Sequence, residues 1–218
     1  MNTKYIPFFI ILAIFAVGGV AYYAAIKPAL DNRTVSVVTP AVISRPDLAL
    51  TFTFPSGEAG YAMMEQAGTA VSTTTAGNSS SSDSLASSTL RQMYVIMDTP
   101  AYTIYQAEGW QGEVPPTMTI MVFDISGDIS DVSREEKLKN WARSNAALSA
   151  YNQVVGEPVT LDLDGVNALQ YTIPGDYTTT FTLASYKDNV YFFAGQYELE
   201  TDDIKNTYHA LVDSVEFD

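Results

Sequence analysis

Tyr5 to Ile26 reads YIPFFIILAIFAVGGVAYYAAI, an apolar run without one charged side chain. A helix needs about 20 such residues to cross the hydrocarbon core of a bilayer, so the run is long enough to span one. Pro7 lies near its start, where a missing amide costs a helix least. Tyr5 at one end and Tyr22 with Tyr23 at the other stand where interfacial aromatics belong. The rival reading is a cleaved signal peptide, whose apolar core is usually about 7–15 residues and ends at small side chains. Cleavage after Ala25 would set bulky Tyr23 three residues before the cut, which argues against processing there. The expectation is a retained single-pass anchor over residues 1–27. Lys4 and the terminal amine favour an inside N-terminus, while Lys27 and Arg33 lie just past the other end. The remainder, rich in Ser, Thr and Tyr and poor in Lys, decides for an extracytoplasmic domain in the cell membrane.

Charge limits the partners. The 218 residues hold 11 basic and 25 acidic side chains, a net charge of −14, and every acid lies after Lys27. Such a surface repels nucleic-acid phosphate and anionic lipid headgroups, because affinity for either depends on Lys and Arg. Nucleic acid is excluded as a main partner; cations or a basic protein are compatible. With no cysteine, the chain has no thiolate nucleophile, disulfide, iron–sulfur ligand or thiolate-bound zinc, and no N-terminal cysteine to lipidate.

Beyond the anchor, residues 28–47 contain Pro28, Pro40 and Pro46 without sustained periodicity and read as a stalk. Leu48, Leu50, Phe52 and Phe54 then alternate with polar or small residues, the period of a strand with one buried face. Pro55-Ser56-Gly57 ends it, and Gly60 to Gln66 predicts the next strand. Residues 68–89, GTAVSTTTAGNSSSSDSLASST, are too polar to bury a core and predict a disordered insert. Leu90 to Met97 and Thr117 to Ile125 are apolar on both alternations, as central strands covered on both faces are. Asp98 to Pro116 reads as mostly loop, with room for one strand. Ser133 and Glu136 form the S-x-x-E capping box, ahead of a helix stripe of Leu138, Trp141, Ala142 and Leu148. Asp164-Gly165 is a two-residue hairpin turn between Val159–Leu163 and Val166–Ile173. A second hairpin joins Thr178–Tyr186 to Val190–Tyr197 around Lys187-Asp188-Asn189. Thr201 or Asp202 caps a last helix with the stripe Ile204, Tyr208, Leu211 and Val215. The fold class expected is α+β, an antiparallel sheet with helices packed on its faces, formed by one domain over residues 48–218.

Several of these features together resemble the PsbP-like proteins. They are the strand LTFTFPSG (Leu50–Gly57) followed by Tyr61, the mid-chain helix carrying Trp141, the paired strands through YFFAGQY (Tyr191–Tyr197), and a terminal helix running into DSVEF (Asp213–Phe217). The resemblance implies an α/β/α sandwich and a non-catalytic binding or assembly role. Family members often carry Trp soon after the first strand; here SGEAGY stands in its place, and the serine-rich insert is extra. Fold does not fix function, so no partner carries over.

The chemistry-bearing residues favour binding over catalysis. His209, the only histidine, is placed by the helical period away from the terminal stripe and so toward solvent, and no G-x-S-x-G elbow supplies a serine nucleophile. The acid pairs Asp162 with Asp164, Glu198 with Glu200 and Asp202 with Asp203 are what a hydrolase of cell-wall or sugar substrates needs, if two face each other across a cleft. Strand-edge and cap roles explain all of them, and that plainer reading is preferred. Asp124, Asp128 and Asp131 flank Gly127 ahead of a helix and form a calcium candidate, although the run departs from the D-x-[DN]-x-[DN]-G loop. No other cofactor is expected. Tyr102, Tyr105 and Trp110 are rigid amphipathic side chains suited to a protein-binding face. The reading is a non-enzymatic, membrane-anchored module that binds or organises another envelope component. A carboxylate hydrolase and a calcium-dependent surface module are the alternatives.

Overall fold

The computed structural model describes residues 38–68, 87–109, 114–126 and 133–218. The anchor expected at residues 5–26 lies outside these, as do most of the serine-rich insert, Trp110, Asp128 and Asp131. No helix among the described residues is long and apolar enough to cross a membrane.

Nine strands form one sheet: β1 (Thr39–Arg45), β2 (Leu50–Ser56), β3 (Tyr61–Ala67), β4 (Ser87–Asp98), β5 (Met118–Ser126), β6 (Val159–Leu163), β7 (Val166–Ile173), β8 (Thr178–Tyr186) and β9 (Asn189–Tyr197). They lie in the order β1-β2-β3-β4-β5-β9-β8-β7-β6. Among the described residues four α-helices accompany them: α1 (Thr99–Glu108), α2 (Arg134–Ser144), the single turn α3 (Ala146–Ser149) and α4 (Asp203–Asp213). The sheet is mixed rather than antiparallel throughout, because β2 meets β3 in parallel through one bridge, Ser56 with Tyr61. β1 corrects the expected stalk, since Thr39–Arg45 pairs along its whole length with β2. β4 likewise begins inside the stretch expected to be disordered, at Ser87.

Alternation along the central strands divides the core in two. On β9, Tyr191 and Phe193 point to one face while Val190 and Phe192 point to the other. The first face is covered by Leu50, Phe52 and Phe54 of β2 and by Tyr208, Leu211 and Val212 of α4. The second is covered by Leu138, Trp141 and Ala142 of α2, with Trp141 against the rings of Phe123 and Phe192. β2 therefore has two roles. One edge pairs with β1, while Thr51 on the other exchanges two 2.9 Å backbone hydrogen bonds with Glu216 beyond α4. The β1–β2 hairpin and the C-terminal segment thus close over the first face together.

Local chemistry accounts for the element ends. Asp164 and Gly165 both have positive φ, 50° and 74°, as a type I′ turn requires, and Asp162 Oδ1 accepts from the Gly165 amide at 2.9 Å. The second hairpin is one residue tighter than expected, with Tyr186 paired to Asn189 and only Lys187-Asp188 between. Ser133 Oγ accepts from the Glu136 amide at 3.3 Å, and the Glu136 carboxylate reaches down the helix to accept from Arg143. The helix expected to carry its stripe through Leu148 breaks at Asn145, whose side-chain amide donates to the Trp141 carbonyl at 2.9 Å.

Candidate interaction surface

α1 replaces the loop expected across Asp98–Pro116. Pro100 stands in its first turn, where proline's fixed φ suits a helix and its missing amide is no loss. Thr99 ties this end to the β2–β3 connection: its amide donates to the Gly60 carbonyl at 3.1 Å and its hydroxyl to the Gly57 carbonyl at 2.8 Å. The connection is tight, since a Cβ on Gly60 would sit 2.8 Å from the Pro55 oxygen. At the far end, Gly109 adopts a φ of 69° and donates to the Tyr105 carbonyl. Ala101 is buried toward the sheet, Tyr102 and Tyr105 are half-buried, and Ile104 is 42% exposed. Tyr102 and Tyr105, two of the three aromatic candidates, thus lie less than about one turn apart on a helix of nearly three turns. Trp110 lies just past the described end.

The other sequence candidates separate. Asp124 is half-buried on β5 opposite Asn189, and its expected companions Asp128 and Asp131 lie outside the described residues. Among the described residues no three His, Asp or Glu side chains are grouped to hold a metal ion. Several acids have structural partners. Asp164 Oδ2 accepts from the Phe217 amide at 2.8 Å, Asp202 Oδ2 accepts from the amides of Glu198 and Leu199, and Glu200 pairs with Lys205. His209 is half-buried rather than solvent-facing, its ring edge against Tyr208.

One polar cluster went unrecognised in the sequence. Arg45, at the end of β1, binds Asp47 through two 3.0 Å hydrogen bonds, donates to Tyr94 Oη at 3.1 Å and pairs with Glu65. Arg91 is aimed at the same region by a β-bulge between Leu90 and Gln92, and donates to Asn189 Oδ1 at 3.2 Å and to the Asp47 carbonyl at 3.1 Å. Tyr191 Oη donates to the Leu48 carbonyl at 2.6 Å. The guanidinium of Arg45 lowers the Asp47 carboxyl below its ordinary range, and burial pushes the Tyr94 phenol up to about 12. The cluster clamps the β1–β2 hairpin to β3, β4 and β9. Its sequence signal was Arg45 with Asp47, opposite charges two residues apart at the end of the stretch read as stalk.

The solution structure of cyanobacterial PsbP (CyanoP) from Synechocystis sp. PCC 6803 superposes with a TM-score of 0.45 at 11% identity, over 85% of this chain and 96% of that one. The fold itself is α+β, one mixed sheet with helices packed on it. No protein-family model and no curated protein sequence matches the chain. The roles of α1 and of the arginine clamp rest on their own chemistry.

Proposed function

We propose that this chain is a non-catalytic, membrane-anchored extracytoplasmic module that binds or organises another envelope component through α1. The observation that carries the reading is the placement of Tyr102, Ile104 and Tyr105 on a helix whose start is pinned by Thr99. Partly exposed aromatics on a rigid support lose little conformational freedom on binding, which is what distinguishes an interface anchor from a mobile loop side chain. The anchor is the run Tyr5–Ile26, and the domain stands outside with the N-terminus inside. The acids that a hydrolase would need are supported better as turn, cap and tail ligands, so the enzymatic reading is not favoured by any cleft chemistry among the described residues.

The test is crosslinking of the full-length protein in its native membrane, followed by purification, for the parent chain and for the double variant Tyr102→Ala/Tyr105→Ala. Interface anchors typically cost at least about 2 kcal/mol each on truncation, so recovery of a stoichiometric partner should fall by well over tenfold. The variant's melting transition must stay cooperative. Unchanged partner recovery from the folded variant rejects α1 as the binding face.

A further inference from the structure

Basic side chains are scarce in this chain, 11 in all, yet Arg134, Lys137, Lys139 and Arg143 fall on α2. Lys139 and Arg143, one turn apart, line a shallow cleft of about 190 Å³ together with Tyr151, Val154, Glu157 and Pro158. The Arg143 guanidinium lies 5.8 Å from the centre of the Tyr151 ring. Glu135 pairs with Lys139 at 2.7 Å and Glu136 with Arg143 at 3.1 Å; exposed pairs of this kind are weak, so a phosphate can compete for either cation. Across Arg134–Val159 four cations face three carboxylates, a local reversal of a chain that is otherwise strongly acidic. Beside the cleft, Val155 is 92% exposed and Val159 is 61% exposed, with Gly156 at a φ of 91° letting the loop turn outward.

We propose that the α2 face and the Val154–Val159 loop form a docking surface for an anionic bilayer. A lipid interface takes both halves of this surface: headgroup phosphates accept from Lys139 and Arg143, while Val155 enters the boundary below them. Charge screening makes such local docking compatible with the overall acidity. Exposed charges more than about 8 Å apart are largely screened at physiological salt, so the face turned to the bilayer decides the interaction. The proposal rests on the anchor reading for its reach. Residues 27–38 span at most about 40 Å when extended. That is comparable to the diameter of a domain this size, whose radius of gyration is about 16 Å, so the tether lets the domain turn this face to the membrane.

The absence of cysteine permits a clean test with the full chain. Val155→Cys is labelled with an environment-sensitive fluorophore and the protein is reconstituted in vesicles of phosphatidylcholine alone or mixed with phosphatidylglycerol. Glu200→Cys, on the β9–α4 connection, serves as the control position. A blue shift and quencher protection at position 155 only in the anionic vesicles, lost at about 1 M salt where the Debye length is about 3 Å, is the expected result. Each cation removed from an anionic surface weakens docking about fivefold, so Lys139→Glu/Arg143→Glu should abolish the shift. An identical signal in both vesicle types, a shift that survives charge reversal, or an equal shift at position 200 overturns the proposal. A response to polyglutamate but not to vesicles also overturns it, and assigns the cleft to an acidic protein segment. Flotation with pure phosphatidylcholine vesicles reads the anchor separately. A chain that does not float loses the anchor reading, and the same label is then read on the chain added to preformed anionic vesicles.

Discussion

Gly195 shows how closely single side chains are fitted. A Cβ at this position would lie 2.4 Å from the ring of Tyr208, which is fully buried and donates through its hydroxyl to Thr182 Oγ1 at 2.9 Å. The ring has no room to retreat without giving up that hydrogen bond, so Gly195→Ala should destabilise the domain by about 1–3 kcal/mol in chemical denaturation. Burial also raises the phenol pKa of Tyr94, Tyr171, Tyr191 and Tyr208, with Tyr94 reaching about 12. A raised phenol pKa means that the folded state holds the proton more tightly than the unfolded chain. The stability so contributed is whole below about pH 10, the ordinary tyrosine value, and is lost as pH rises through the folded values. The melting temperature should therefore fall steeply above about pH 10, and these buried phenols should ionise together with unfolding, as an added step in tyrosinate absorbance. Unfolding at high pH without that added step would contradict the coupling.

At the scale of elements, the β1–β2 hairpin is the part whose attachment is most specific. Its parallel junction with β3 is one bridge long, so its hold on the body depends on Phe52 and Phe54, the Thr51–Glu216 exchange and the Arg45 clamp. Arg45→Ala should remove about 1–2 kcal/mol through lost charge-assisted hydrogen bonds. Hydrogen exchange should then quicken in β1, β2 and residues 214–216 while β8 and β9 stay protected. Uniform quickening across the sheet would show that the hairpin is not a separate cooperative unit. Because Arg45 lowers the Asp47 carboxyl, the stability from that pair is present above the unfolded carboxylate value, about 4, and declines as pH falls through the lower folded value. Asp47→Asn should flatten this acid limb, read as hairpin exchange against pH. Helix α2 gives the contrasting case. Its Ser133 cap is local, and Ser133→Ala should cost about 1 kcal/mol in the melting transition without altering exchange in the hairpin.

At the scale of the whole molecule, three layers serve different ends: the hairpin with α4, the central sheet, and α2. The proposed partner face on α1 lies against β3 and β4, whereas the cationic face of α2 lies over β7 and β8, so the two are carried by opposite halves of the sheet. A partner-binding variant in α1 should therefore leave bilayer docking intact, and charge reversal on α2 should leave partner recovery intact in the same crosslinking assay. What the amino-acid order determined alone is what repeats over short distances. The alternation from Leu50 to Phe54, the Asp164-Gly165 turn, the start at Ser133 and the stripes of α2 and α4 short of Leu148 and Val215 appear where their patterns place them, because each depends on neighbours within one or two turns. α1 escaped because Pro115-Pro116 and scattered aromatics mask a short helix that its contacts with β3 and β4 stabilise. β1 escaped because Pro40 and a brief apolar pattern suggest no strand until β2 offers an edge. The arginine clamp joins positions 45, 47, 65, 91, 94 and 189, and the cationic cleft joins α2 to a loop more than ten residues on. No periodicity connects such positions; only the folded packing of the sheet brings their charges within a few ångströms of one another.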